Sequence, residues 1–399
     1  MSLELLPVRG IRLGVTSAGI KTPGRLDLVI LALDEGTVTT AVFTQNAFCA
    51  APVTVARQHL QVAMPKYFII NTGNANAGTG SQGIDDALTC CTALAERAGV
   101  AKEDVLPFST GVIGEPLQID KIIPALDSAL SSCSENAWDQ AATGILTTDT
   151  VPKGVSRTLQ LQGKQVTITG IAKGSGMINP DMATLLAFIA TDLVSDQPLL
   201  HHCLHQSVET SFNRISVDGD TSTNDACVLS ATGKSGVVLK ESNHAELQQF
   251  QAALTAVAEE LAQGLVRDGE GASKFVTIEV SGGRTQAESL TVAKTVAHSP
   301  LVKTALFASD PNWGRILAAV GYAGIENLDI QAINIHLGSV CIVRNGERAA
   351  DYREELGQQE MDKQDIVISI DLARGDGFER VWTCDFSYDY VRINAEYRT

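Results

Sequence analysis

The chain has 399 residues, 44% of them hydrophobic and 19% charged, with a formal net charge of −16. That length and composition suit one large domain or two smaller ones with a sizeable core. The acidity opposes phosphate backbones and anionic lipid, so nucleic acid and membrane surfaces are excluded as expected partners.

No uninterrupted apolar run is long enough to span a membrane, and the start, Met1 to Pro7, lacks the basic residues and apolar stretch of a signal peptide. The expected location is therefore the cytoplasm. The eight cysteines (Cys49, Cys90, Cys91, Cys133, Cys203, Cys227, Cys341 and Cys384) are scattered and include no CxxC pair, so they read as small buried hydrophobes.

In chain order, Leu26 to Leu33 and Tyr67 to Asn71 read as buried strands, and Asp85 to Ala98 and Leu117 to Ser132 have helical periodicity. Val155 to Leu161 and Gln165 to Ala172 are strand-like. The Gly-rich loop Lys173 to Gly176 and a further apolar run, Leu185 to Thr191, follow them. Two helices are expected over Gln197 to Phe212 and Ala245 to Val266. The last third returns to strands: Phe275 to Val280, Ile330 to Leu337, Val340 to Arg344, Ile366 to Asp371 and Val381 to Phe386. The result is a mixed α/β chain without repeats or long linkers.

Several motifs are ambiguous. Gly78-Thr79-Gly80-Ser81-Gln82-Gly83 fits GxGxxG between a strand and a helix, the context of a dinucleotide fingerprint. A strand ending near Asn71 leaves the loop too long for a tight first turn, which favours glycines that let backbone approach backbone. Gly233-Lys234-Ser235 lacks the earlier glycine of a phosphate-binding loop, since Val228 stands there. His201 and His205 share a helix face but have no glutamate between them, so a plain surface helix is expected rather than a zinc site. Asp218 to Asp225 is rich in oxygen ligands, yet Thr223 occupies the place of the calcium-loop glycine. It reads as a solvated turn or as a hydrogen-bonded loop near an active site.

The stretch from Gly170 to Asp192 is the most informative. A small, polar segment with Pro180 leads to Ala183-Thr184, and a strand-like run begins directly after. Such a threonine suits self-cleavage. Its hydroxyl attacks the preceding carbonyl, and hydrolysis of the resulting ester leaves Thr184 with a free α-amine. With a reference pKa of about 7.7–8.0, that amine can serve as base for its own hydroxyl, and no Ser-His-Asp triad is needed.

The run Lys173-Gly174-Ser175-Gly176-Met177-Ile178 … Met182-Ala183-Thr184-Leu185-Leu186-Ala187-Phe188 resembles the self-cleavage signature of the ornithine acetyltransferase family, the glutamate N-acetyltransferases of arginine biosynthesis. Thr147 to Thr150, Ser109 to Gly114, Val217 to Asp225, Arg267 to Ala272 and Ile393 to Thr399 also resemble family segments, in the family's order. Asp181 departs from it, because asparagine is common there.

The resemblance implies a layered α/β/β/α fold processed into chains 1–183 and 184–399, assembled as a heterotetramer of two of each. It implies Thr184 as acetyl acceptor, with Thr110 and Gly111 stabilising the oxyanion. Thr147, Lys173, Glu270, Asn394 and Thr399 are implied to bind the amino acid, with Lys173 beside Thr184 also favouring the neutral amine. The implied reaction moves acetyl from N2-acetylornithine to glutamate, with acetyl-CoA as a further donor in bifunctional members, and needs no metal or organic cofactor. Three rivals remain: a self-cleaving aminopeptidase of the same fold, a dinucleotide-dependent oxidoreductase using Gly78 to Gly83, and a non-enzymatic binding protein.

Overall fold

The computed structural model describes residues 3–179 and 185–396. Two compact units emerge. Unit 1 comprises Met1–Gly174, Pro180–Asn213 and Thr221–Leu265; unit 2 comprises Ser175–Asn179, Arg214–Asp220 and Val266–Thr399. Unit 1 takes residues from both sides of the 183/184 junction, so the two expected fragments are not the two folding units.

The chain opens with β1 (Ile11–Thr16), β2 (Leu28–Leu33), β3 (Val38–Phe43), α1 (Ala51–Val62), β4 (Tyr67–Asn74), α2 (Gly80–Ala98), β5 (Val105–Val112), α3 (Ile119–Ser131) and α4 (Trp138–Gly144). Next come β6 (Lys153–Leu161), β7 (Lys164–Lys173), β8 (Leu186–Thr191), α5 (Gln197–Thr210), β9 (Ile215–Ser216), β10 (Ala226–Ala231) and α6 (His244–Arg267). Of these, β9 belongs to unit 2. The strands of unit 1 form two sheets, ordered β1-β2-β4-β5 and β3-β10-β8-β7-β6.

The sheets pack face to face. Leu31, Phe68 and Phe108 of the first meet Ile171, Phe188 and Val228 of the second in one buried cluster. Phe108 and Phe188 lie edge to face with ring centroids 5.0 Å apart. Each fully buried side chain of this kind contributes about 1.5–3 kcal/mol. The outer face of the first sheet carries α2 and α3, with Ile30 and Ile69 against Cys91, Leu94, Ile122 and Leu126. The outer face of the second is covered by α5 and α6. A side chain at Gly170 would come within 3.0 Å of Leu261. Unit 1 is thus α/β/β/α, the expected layering. All six residues of β2 and of β8 are buried, because each strand is sandwiched on both faces.

Unit 2 adds β11 (Phe275–Gly283), α7 (Gln286–His298), α8 (Pro300–Phe307), α9 (Trp313–Gly321), β12 (Asn334–Leu337), β13 (Val340–Arg344), β14 (Glu347–Arg348), α10 (Glu354–Met361), β15 (Asp365–Asp371), β16 (Gly377–Cys384) and α11 (Tyr388–Ala395). Its sheet runs β14-β13-β12-β15-β11-β16-β9. Alternate residues of β11 and β15 (Val276, Ile278, Val280; Ile366, Ile368, Ile370) pack on Val292 and Val296 of α7 and Val320 of α9.

Several sequence expectations change. β4 continues to Asn74 rather than ending near Asn71, and α2 begins at Gly80. Residues Ile330–Ala332 form a 3₁₀ turn, so that strand starts only at Asn334. β16 starts at Gly377 and stops at Cys384. The strands β1, β3, β5, β9, β10 and β14 and the helices α1, α4 and α7 to α11 were not among the expected elements. All eight cysteines are free thiols. Among the described residues no helix is long and apolar enough to cross a membrane.

Candidate active site

Residues Ala183, Thr184 and Thr399, central to the sequence reading, lie outside the described residues, as do Pro180 to Met182. The other candidate residues fall into two groups, one in each unit.

In unit 1, β7 ends at Lys173, whose Cα partner on β8 is Leu186. The side chain is buried, and its ammonium donates to Thr110 Oγ1 at 3.0 Å and to Thr147 Oγ1 at 2.8 Å. Three residues chosen on sequence are therefore joined through one nitrogen. Thr110 and Gly111 sit near the end of β5. Gly111 has φ +136, and a Cβ there would lie 2.3 Å from the carbonyl carbon of Gly73. Only glycine lets β4 and β5 stay paired at this bulge. Asn224 holds the strand from behind by donating its amide to the carbonyls of Ser109 and Ala75.

Asp149 organises the loop after α4. Its carboxylate accepts from Lys153 Nζ at 2.5 Å, Gly174 N at 2.8 Å and Thr147 N at 3.1 Å. Burial pushes this carboxyl up, but the charges of Lys173 and Lys153 and the bonds from Lys153 and Gly174 prevail, holding it well below the usual range. Sequence reasoning quoted Asp149 within Thr147 to Thr150 without giving it a role, and it passed over Lys153. The only available signal was a lysine four residues after an aspartate. Asp225 is also buried, and among the described residues its Oδ2 has no hydrogen-bond partner. Burial pushes its carboxyl well up against the opposing effects of the Ser222 hydroxyl and the Lys173 charge.

In unit 2, Asn394 Nδ2 donates to Glu270 Oε2 at 2.8 Å, uniting two further candidates. Glu270 is buried in the turn after α6, not a surface charge at a helix end. A Cβ on Gly176 would lie 2.4 Å from the Glu270 carboxylate, so this glycine makes room for the acid. The flanking bonds join the two motif segments: Glu270 N donates to Ser175 O at 2.9 Å, and Ser175 Oγ to Asp268 O at 2.6 Å.

The ambiguous motifs resolve locally. The space beside Gly83 is filled by Thr79 Oγ1 and Asn76 Oδ1, and Gly78 faces Phe48. Asn76 adopts φ 47 and donates to Gly83 O. Gly78 and Gly83 serve the chain's own close packing, and Gly80 takes a left-handed turn at φ +61 with open space around it. His201 Nδ1 lies 2.8 Å from Thr40 Oγ1, and the His201 and His205 rings are 6.4 Å apart. Among the described residues no cluster of three or more His, Cys, Asp or Glu is placed to hold a metal. The loop from Asp218 to Asp225 is hydrogen-bonded, not a loose solvated turn: Asp218 receives two backbone N–H groups and Asn224 anchors β4 and β5.

Known proteins resemble this chain over its length. A protein named arginine biosynthesis bifunctional protein ArgJ from Pseudomonas fluorescens (strain Pf0-1) is 55% identical over 398 residues, covering 99% of this chain and 98% of that one. Its namesake from Methylococcus capsulatus is 53% identical, covering 100% and 97%. Among solved structures, arginine biosynthesis bifunctional protein ArgJ from Bacillus halodurans matches with TM-score 0.49 and 39% identity, over 51% of this chain and 95% of that one. The ornithine acetyltransferase of Mycobacterium tuberculosis, solved with ornithine, matches with TM-score 0.42 and 33% identity, over 46% and 99%. The ArgJ family model matches residues 12–399, and the chain belongs to the ArgJ family.

Proposed function

We propose that this protein is a glutamate N-acetyltransferase of arginine biosynthesis that cleaves itself between Ala183 and Thr184 and then carries acetyl on the Thr184 hydroxyl. The observation that best supports this reading is the buried Lys173 ammonium joining Thr110 to Thr147, three residues from separate segments brought to one point.

In the first step the Thr184 hydroxyl attacks the Ala183 carbonyl carbon and the peptide nitrogen leaves as the α-amine. Water then hydrolyses the ester. In the mature enzyme that amine takes the proton of the Thr184 hydroxyl as it attacks the acetyl carbon of N2-acetylornithine. The oxyanion is met by the Thr110 hydroxyl and the Gly111 N–H. Ornithine leaves with the proton on its amine, and an acetyl ester remains. Glutamate's amine attacks that ester, and N-acetylglutamate departs.

Thr147, Lys173, Glu270, Asn394 and Thr399 bind the amino acids in this scheme. Lys173 suits a carboxylate and Glu270 an ammonium, while the Lys173 charge also disfavours a protonated α-amine beside it. The chemistry needs no metal or organic cofactor. Acetyl-CoA is the second donor, which makes the enzyme bifunctional. Chains 1–183 and 184–399 stay together as a heterotetramer of two of each, in the cytoplasm.

Intact mass of the purified protein tests the scheme, beside Thr184→Ala and a donor assay. Two fragments meeting at 183/184, a whole variant and acetyl transfer to glutamate are expected. A whole, active wild-type chain would sink the mechanism. Release of amino acids from small peptides without acetyl transfer would turn the reading to an aminopeptidase.

A further inference from the structure

The five residues before Pro180 are tied down one by one within unit 2. Ser175 is held through its hydroxyl and its carbonyl, and Gly176 is confined by the Glu270 carboxylate. Ile178 O accepts from Val217 N at 2.8 Å, and Asn179 Nδ2 donates to Gly219 O at 3.0 Å. At the middle of the segment, Met177 adopts φ 56, a left-handed conformation that a residue with a side chain rarely takes. That twist turns two consecutive N–H groups the same way, forming a small anion-binding nest. The carboxylate of Asp218 fills it, with Oδ2 2.6 Å from Met177 N and Oδ1 2.9 Å from Ile178 N. Asp220 N and the Tyr390 hydroxyl, at 3.2 Å and 3.5 Å, hold the carboxylate in turn.

We propose that Asp218 is a positioning residue for self-cleavage: its two bonds hold the left-handed turn at Met177, and the rate of cleavage at Ala183-Thr184 depends on that turn. The inference rests on the self-cleavage reading above. An attack by a hydroxyl on the adjacent carbonyl demands accurate placement, and displacement by about 1 Å costs on the order of a hundredfold in rate. An amide at position 218 could accept from one N–H but would turn its own NH₂ towards the other.

The test follows cleavage of pulse-labelled full-length chain made by in vitro translation. It compares wild type, Asp218→Asn, Met177→Gly and the double variant, and melts each change in a Thr184→Ala background. Asp218→Asn should cleave at least about tenfold more slowly, a fraction of the misplacement penalty, with the uncut precursor still folded. Glycine at 177 takes the left-handed turn without cost. Met177→Gly alone should therefore cleave like wild type, and adding it to Asp218→Asn should recover part of the lost rate. A folded Asp218→Asn that cleaves as fast as wild type overturns the proposal. So does a slow Asp218→Asn whose precursor melts early and which glycine at 177 does not rescue, since Asp218 would then serve the fold alone. A wild-type chain that stays whole would instead remove the self-cleavage reading itself.

Discussion

Lys173 donates to the hydroxyl oxygen of Thr110 at 3.0 Å, and that bond decides where the threonine's own proton can go. An ammonium has only donors, so the lone pair facing it is occupied and the Thr110 O–H is left to turn elsewhere. A hydroxyl held this way is preorganised to donate to a developing oxyanion. Thr110→Ala should lower kcat/KM by about 10²–10³, the usual loss for one oxyanion donor, whereas Thr110→Ser should retain most activity. Steady-state assays with N2-acetylornithine and glutamate decide. Equal rates in Thr110→Ala and wild type would remove the residue from the catalytic scheme.

Asp149 binds Lys153 and the loop around Thr147 together, so Asp149→Asn should lower stability by about 3–5 kcal/mol, the usual range for breaking a buried pair. The sign of its pH dependence follows from a carboxyl held below its usual range. Its stabilisation is complete above the unfolded pKa of about 3.9 and is lost only as pH falls through the lower folded value. The difference in Tm between wild type and Asp149→Asn should stay constant from about pH 8 to pH 5 and shrink only below about pH 4. A difference that vanishes near neutrality would contradict the ion pair.

Asp225 should behave in the opposite sense. Burial pushes its carboxyl well up, and one of its oxygens has no partner among the described residues. The folded state therefore holds a proton that the unfolded state releases above about pH 4, and stability falls as pH rises from there through the folded pKa. Asp225→Asn should melt higher than wild type at pH 8, with the gain disappearing towards pH 4. Thermal melts across that range check it, and a variant less stable at pH 8 would refute the assignment.

Gly176 stands where any side chain would press on Glu270. Gly176→Ala should displace that carboxylate and its bond to Asn394. Under the proposed scheme the loss appears mainly as a raised KM for the amino-acid substrate, by roughly tenfold for about 1.4 kcal/mol of binding. An unchanged KM would place Glu270 outside the substrate site.

Much of this was legible in the sequence because the informative signals were local. The buried strands around Lys173 and Leu186 announced themselves as apolar runs beside a glycine-rich loop. Thr110, Thr147 and Lys173 were chosen from separate segments by resemblance, and folding brings them to one ammonium. Asp149 and Lys153 escaped notice because a buried ion pair four residues apart looks like an ordinary charged loop until burial is known. Helix α7 escaped for another reason. Its apolar stripe is made of alanine and valine between threonines, too weak a period to read without the sheet it covers. Asp218 was visible as one of many oxygen ligands, but nothing in the spacing reveals that it faces Met177 and Ile178.

The strand β8 lies inside its sheet, hydrogen-bonded to β7 on one side and β10 on the other. It begins two residues after the expected cut. Under the proposed scheme the sheet is woven before the bond is severed, and severing it would remove no ladder hydrogen bond from β8. Cutting should then be a first-order clock started by folding and indifferent to protein concentration. The products should not trade partners between molecules: isotopically heavy and light samples, mixed after maturation, should keep their own halves until the fold is melted.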